Sequence, residues 1–78
     1  MAYYTEKDLK KFKFKSLGEN VKISEKASLY NTENISIGNN VRIDDFALLS
    51  AGTGGIFIGN YVHVACFVSM IGNGKIVM

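Results

Sequence analysis

Aliphatic residues recur every six positions in three successive runs of this 78-residue chain. The runs are Leu17-Ile23-Leu29, Ile37-Ile43-Leu49 and Ile58-Val64-Met70. Four positions after the first two members of each run comes a small or β-branched residue, such as Val41 and Ala47 in the second run. An α-helix repeats every 3.6 residues and a half-buried strand every two, so neither explains this period. The pattern favours a short strand followed by a corner.

A longer period encloses the shorter one. Leu17, Ile37, Ile58 and Met78 are equivalent positions, separated by 20, 21 and 20 residues. Three short units close a triangular coil, and the extra residues of each coil extend its third corner. Glycine and asparagine pairs at other corners tolerate the positive φ of a tight turn. The alternative is a β-sandwich with turns every 8–12 residues, which has no reason to keep the same residue class in register.

The two periods together predict an all-β fold, a parallel β-helix of about three coils over residues 16–78. Residues 1–15 break the repeat and are expected to form an N-terminal helical cap. Thr5 and Asp8 have the spacing of a capping box, which predicts a short helix over about residues 6–12. A strand-like stretch is expected after it, and the whole segment is expected to cover unpaired backbone groups at the edge of the first coil.

Composition excludes several classes of function. The net charge is only +2, and the lysine-rich start carries the excess, so we expect no nucleic-acid partner. A single cysteine cannot form an internal disulfide, and no cluster has metal-ligand spacing. No stretch approaches the roughly 20 apolar residues of a membrane span. These features favour a cytoplasmic protein without a metal.

The motif aliphatic-Gly-x-x-aliphatic, at residues 37–41 and 58–62, resembles the bacterial hexapeptide-repeat acyltransferases. The resemblance extends to galactoside and maltose O-acetyltransferase-like enzymes and to sugar acetyltransferases of surface-polysaccharide type. It implies a left-handed β-helix, a homotrimer with active sites between subunits, and acetyl-CoA as donor. It also implies a histidine base and direct transfer of acetyl to the hydroxyl or amine of a sugar or sugar nucleotide.

The candidate site residues are few. His63, the only imidazole, should point outward near a corner, where it lines an acceptor pocket as base or donor, or is simply exposed or packed at an interface. Ala65 falls where the galactoside enzymes place an acceptor asparagine, so this contact is in doubt. Asp45 and its neighbour Asp44 are a carboxylate pair that either holds a substrate hydroxyl or orients a histidine, or they are solvated corner residues. Asn73 is a candidate acceptor contact from a corner loop.

Cys66 is a poor nucleophile candidate, because only His63 is near it in sequence. A small buried or interface hydrophobe is the favoured alternative. In the galactoside branch the catalytic histidine and most of the coenzyme site lie in a later coil, beyond Met78. We therefore expect this chain alone to be inactive.

Assembly is predicted from the same repeat. Phe46, Leu48, Tyr61 and Phe67 occupy outward positions, and exposed apolar residues favour the homotrimer. Met78 has the register of the first inward residue of a fourth coil, so the chain is expected to end inside a structural unit. The unpaired strand edge there is expected to pair with another copy, which would give end-to-end assembly. The alternative function is a non-catalytic, self-assembling β-helix scaffold.

Overall fold

The computed structural model describes residues 2–78 and consists of one short helix followed by ten short strands. The elements are α1 (Glu6–Lys11), β1 (Ser16–Leu17), β2 (Lys22–Ile23), β3 (Ser28–Tyr30), a 3-10 turn (Thr32–Asn34), β4 (Ile35–Ile37), β5 (Arg42–Ile43), β6 (Leu48–Ala51), β7 (Ile56–Ile58), β8 (His63–Val64), β9 (Ser69–Gly72) and β10 (Ile76–Val77).

Strands at equivalent positions of successive coils pair in parallel, which makes the structure a parallel β-helix. The three sheets have the orders β1-β4-β7-β10, β2-β5-β8 and β3-β6-β9. Leu17 pairs with Ile37, and Ile37 pairs with Ile58. Both the fold predicted from the six-residue period and the coil length are therefore confirmed.

Inward positions of the repeat form one continuous apolar core. Ile23, Ile43, Leu49 and Val64 are at most 1% exposed, and the corner residue Ala47 is fully buried. Burial is weaker in the first coil, where Leu17 and Leu29 are only partly buried. The core is a narrow column, so each coil supplies only a few side chains to it.

The first corners of the coils bring backbones too close for any side chain. A Cβ at Gly38 would lie 2.6 Å from Asn60 Oδ1 and 2.8 Å from the backbone of Gly59. Asn60 accepts a hydrogen bond from the Asn39 backbone N–H at 2.8 Å, and Asn39 accepts one from Glu19 at 2.7 Å. Each asparagine thus ties its own corner to the corner before it.

The N-terminal segment pairs with the second strand of the first coil. Thr5 and Asp8 form the predicted capping box, and Leu9 of α1 is buried in the core. The Tyr4 N–H donates to the Ile23 carbonyl at 2.9 Å, and the Glu25 N–H donates to Ala2 at 2.9 Å. These bonds satisfy backbone groups that an open coil would leave unpaired.

The strand-like stretch predicted after the helix is wrong. Phe12 ends the helix in the right-handed helical region, and Lys13 has a φ of +54°. This turn places the rings of Phe12 and Phe14 5.7 Å apart, and both pack against the core. The alternation of aromatic and lysine residues reflects a helix-ending turn rather than a strand.

Over residues 2–78, no helix has both the length and the apolar character that crossing a membrane requires.

Replacing a central inward residue tests the register. Ile43 is fully buried, so Ile43→Asp would place an unpaired carboxylate in the core, and we expect the variant not to fold. Ile43→Val, the matched control, should lower the free energy of unfolding by about 0.5–1.5 kcal/mol. Urea denaturation followed by circular dichroism measures both. A folded Ile43→Asp protein with the stability of the parent would mean that the register is wrong.

Candidate functional site

Pairing between β5 and β8 brings two basic side chains together on the outer face of the second sheet. Arg42 lies opposite His63 in the register, just as the inward Ile43 lies opposite Val64. Arg42 Nη2 is 2.8 Å from His63 Nε2. Both side chains are about half exposed, so the predicted outward orientation of His63 is confirmed.

Asp44 completes a three-residue cluster with these two. Its Oδ2 is 2.5 Å from His63 Nε2, and its Oδ1 is 3.0 Å from Arg42 Nε. The Asp44 side chain is only 7% exposed, since the corner that follows β5 turns it under the two basic groups. The arrangement is a carboxylate held between a guanidinium and an imidazole.

His63 Nε2 lies within hydrogen-bond distance of both Arg42 and Asp44, but it can form a hydrogen bond with only one of them at a time. Arginine only donates, and an ionised carboxylate only accepts. We assign the proton to Nε2, because the shorter contact is with the charged carboxylate and a lone pair there would oppose Asp44 Oδ2. The neutral imidazole then carries its lone pair on Nδ1, where a base needs it.

The cluster holds Asp44 in its ionised form. The hydrogen bond from His63 is the main cause that lowers the pKa of the Asp44 carboxyl below its ordinary value. Burial acts in the opposite direction, and the charges of Arg42 and His63 add to the lowering. An Asp44 that is ionised at neutral pH can keep the Nε2 proton in place through a reaction cycle.

One carboxylate oxygen is held by charge alone. Asp44 Oδ1 is fully enclosed and has no hydrogen-bond partner among the described residues, although Arg42 Nε is 3.0 Å away. The close approach contributes attraction, but its direction does not suit a hydrogen bond. Oδ1 is too enclosed to contact a ligand, so we assign Asp44 a positioning role toward His63.

The structure separates the predicted site residues. Asp45 accepts a hydrogen bond from the buried Ser24 hydroxyl, which directs it toward the first coil. Ala65 is exposed two residues after His63, at the corner that follows β8. Asn73 lies in the corner between β9 and β10, whereas His63 belongs to the second sheet. Of these three residues, only Ala65 is close to His63 along the coil.

Arg42 is the site residue that sequence reasoning missed. Asp44 was considered as one of a carboxylate pair that could orient a histidine, but a solvated corner position was favoured, and this is wrong because the side chain is buried under its partners. The available signal was the coil length: His63 follows Arg42 by 21 residues, which places them side by side.

Cys66 is exposed in the chain, so the prediction of a buried position is wrong. The other alternative, a place in an interface between subunits, stays a prediction. Its nearest feature along the chain is the exposed ring of Phe67.

A depression of about 300 Å³ lies beside the cluster, lined by Asn40, Arg42, Tyr61, Val62 and His63. A larger cavity, about 770 Å³, lies between α1 and the first coil. We assign the site to the smaller one, because only there do a base candidate, its positioning carboxylate and a cation meet.

Acid titration tests the Asp44 contact. A lowered pKa stabilises the fold above the unfolded-state value, near 3.8, and the contribution is lost as the pH falls through the folded-state pKa. Asp44→Asn should therefore be less stable than the parent at pH 5, and the difference should shrink toward pH 2. Thermal unfolding of both proteins across this range measures it. A difference that stays constant with pH would contradict the ionised pair.

Comparison with known proteins gives close relatives of known activity. No protein-family model matches the chain. It is 63% identical over 76 residues to a dTDP-4-amino-4,6-dideoxy-D-glucose acyltransferase from Escherichia coli. The match includes 97% of this chain and 40% of that enzyme.

Solved structures agree in fold. AntD, an N-acyltransferase from Bacillus cereus, superposes with a TM-score of 0.90 and 49% identity, over 97% of this chain and 40% of its own. That structure, of a point variant, contains dTDP-4-amino-4,6-dideoxyglucose and coenzyme A. A second structure of AntD, with the same TM-score and identity, contains dTDP and 3-hydroxybutyryl-CoA and is covered over 39% of its length.

The chain thus spans about two fifths of the length of the relatives it matches. Over that part the chain is similar to both relatives in sequence and to AntD in fold. The resemblance to the hexapeptide-repeat acyltransferases that the repeat motif carries is confirmed, since these relatives are sugar-nucleotide acyltransferases.

Proposed function

We propose that this chain is part of an enzyme that transfers an acyl group from an acyl-CoA to the amino group of a dTDP-linked amino sugar. The observation that carries the proposal is the 63% identity to the Escherichia coli enzyme across nearly the whole chain. Among the acceptors considered from sequence, this favours the amine of a sugar nucleotide over the hydroxyl of a free sugar.

In the proposed mechanism His63 is the base. Its Nδ1 lone pair accepts a proton from the acceptor amine as the nitrogen attacks the thioester carbonyl. The new C–N bond forms, the C–S bond breaks, and the proton passes on to the departing coenzyme A thiolate. Asp44 stabilises the imidazolium that forms in between, because its Oδ2 accepts the Nε2 hydrogen bond.

Direct transfer needs no acyl-enzyme. Cys66, the only thiol, lies on the exposed corner after β8, with no base among its hydrogen-bond partners in residues 2–78. A nucleophilic cysteine needs a depressed pKa and an adjacent base. We therefore assign it no part in the reaction.

The donor is an acyl-CoA in this proposal, with acetyl-CoA and a hydroxyacyl-CoA as the two candidates. The second candidate comes from AntD, which was solved with 3-hydroxybutyryl-CoA. Both substrates are water-soluble metabolites of the cytoplasm, where we place the reaction. A nucleotide-linked amino sugar is an activated glycosyl donor, which supports a role in polysaccharide biosynthesis.

A homotrimer completes the proposal. The rings of Phe46 and Phe67 stack with centroids 5.4 Å apart, and the two side chains are 53% and 75% exposed. Leu48, also predicted to face outward, is half-buried. An exposed aromatic pair at the corner that follows the second sheet fits an interface between copies.

The alternative, a non-catalytic scaffold, is favoured by one observation. Ile71 and Val77 on the last coil are 64% and 66% exposed, which suits contact with another copy. Acyl transfer distinguishes the two functions, because a scaffold would assemble without cleaving a thioester.

A chimera tests the activity. The chain replaces the matching 76-residue region of the Escherichia coli enzyme, and release of coenzyme A thiol is followed with acetyl-CoA or 3-hydroxybutyryl-CoA and dTDP-4-amino-4,6-dideoxyglucose. We expect turnover, a loss of about 10²–10⁴-fold in kcat for His63→Gln, and full activity for the control Cys66→Ser. A folded chimera without turnover would contradict the proposed function, and an active His63→Gln chimera would contradict only the role of the histidine.

Sedimentation tests the assembly. The 78-residue chain should sediment as a trimer at micromolar concentration, and Phe46→Ser with Phe67→Ser should shift it toward the monomer. Val77→Ser is the matched control, because Val77 is similarly exposed but lies at the edge of another sheet. A monomeric parent, or equal dissociation by the control, would count against the trimer.

A further inference from the structure

Three equivalent corner positions, Asn20, Asn40 and Tyr61, precede the strands of the second sheet. All three have left-handed backbone, with φ of +56°, +58° and +57°. The backbone bonds also repeat, since the Asn40 N–H donates to Glu19 and the Tyr61 N–H donates to Asn39, at 2.9 and 3.0 Å. The third corner therefore keeps the geometry of the first two and changes only the side chain.

Asparagine suits this position and tyrosine does not. Asparagine is one of the few residues that adopt left-handed backbone readily, whereas a bulky ring is an outlier there. Asn20 also donates its side-chain amide to Asn40 Oδ1 at 2.7 Å, a ladder of hydrogen bonds between coils. Tyr61 cannot continue this hydrogen bonding, and its left-handed backbone is strained for an aromatic residue. The side chain is 82% exposed, so burial of the ring contributes little to the stability of the fold.

The surroundings of Tyr61 point to a ligand. It lines the depression that also contains Arg42 and His63. In the register of the second sheet, Lys22 lies next to Arg42, and Arg42 lies next to His63. Neighbouring strands are about 4.8 Å apart, so these side chains form a basic column, offset in part by Asp44.

An exposed aromatic ring beside a basic column matches a nucleoside diphosphate. Aromatic rings stack on nucleobases, and arginine and lysine pair with phosphate oxygens. Resting on the proposed function, we infer that Tyr61 stacks on the base of the dTDP-linked acceptor while Arg42 and Lys22 face its diphosphate. This inference makes Tyr61 a specificity residue for the nucleotide and explains why a strained tyrosine stands where asparagine would fit.

The test separates stability from binding in the full 78-residue chain. Tyr61→Asn restores the ladder residue, so its midpoint of thermal unfolding should rise. Its affinity for dTDP, measured by NMR titration to millimolar concentration, should fall at least about fivefold, which is the lower end of what stacking on one aromatic ring contributes. Binding of inorganic pyrophosphate should stay unchanged.

Tyr30→Asn is the matched control. Tyr30 is also an exposed tyrosine, at 56%, but it lies on β3 of the third sheet, away from the depression and from the proposed interface. This variant should bind dTDP as the parent does.

Four results would overturn the inference: a parent that does not bind dTDP, a Tyr61→Asn variant that binds it equally well, a destabilised Tyr61→Asn variant, or equal weakening by Tyr30→Asn. A trimer that dissociates on Tyr61→Asn would instead assign the ring to a subunit interface and would also overturn it. Each of these can occur while the chimera remains active, so they do not decide the proposed function.

Discussion

Parallel hydrogen bonding between successive coils is the constraint on which the rest of this structure depends. Each strand has two to four residues, too few to be stable alone, and gains its partners only from the coils before and after it. The pairing fixes which residue stands beside which at a distance of 20 or 21 positions. Core and site are therefore set by one register, and a slip of one residue would exchange inward and outward faces.

The site is a direct consequence of this stacking. A solvent-exposed arginine and histidine next to each other would repel if both were charged. The Asp44 carboxylate, which lies beneath them and contacts both, offsets this repulsion. Its burial is tolerated because two basic groups face it, which agrees with the lowered pKa of its carboxyl. The same corner geometry that encloses Asp44 leaves the outer side of His63 open to the depression. The proposed base therefore lies on a paired strand rather than on a loop.

The sequence was sufficient for the coils and insufficient for the contacts between their corners. Burial of Ile43 and Val64 follows from the period alone, because each inward position repeats through the core. The burial of the Asp44 side chain was not predicted, because it depends on the direction in which the corner turns that side chain. It lies beneath Arg42 of its own coil and His63 of the next coil. The stretch around Lys13 was predicted to be strand-like, and this was wrong because the pattern of aromatic and basic residues gives no sign of the positive φ at Lys13. The proposal of a nucleotide-linked amino sugar as acceptor rests on a relative, a dTDP-4-amino-4,6-dideoxy-D-glucose acyltransferase, and not on the repeat.

The protonation state of His63 tests the account of the site most directly. His63 is the only histidine, so its ring nitrogens give an unambiguous signal in a long-range proton–nitrogen NMR correlation spectrum of the uniformly ¹⁵N-labelled chain. At a pH where the ring is neutral, the account predicts the proton on Nε2 and the lone pair on Nδ1, with the preference reduced in Asp44→Asn. A neutral ring with its proton on Nδ1, or a parent spectrum unaffected by Asp44→Asn, would contradict it.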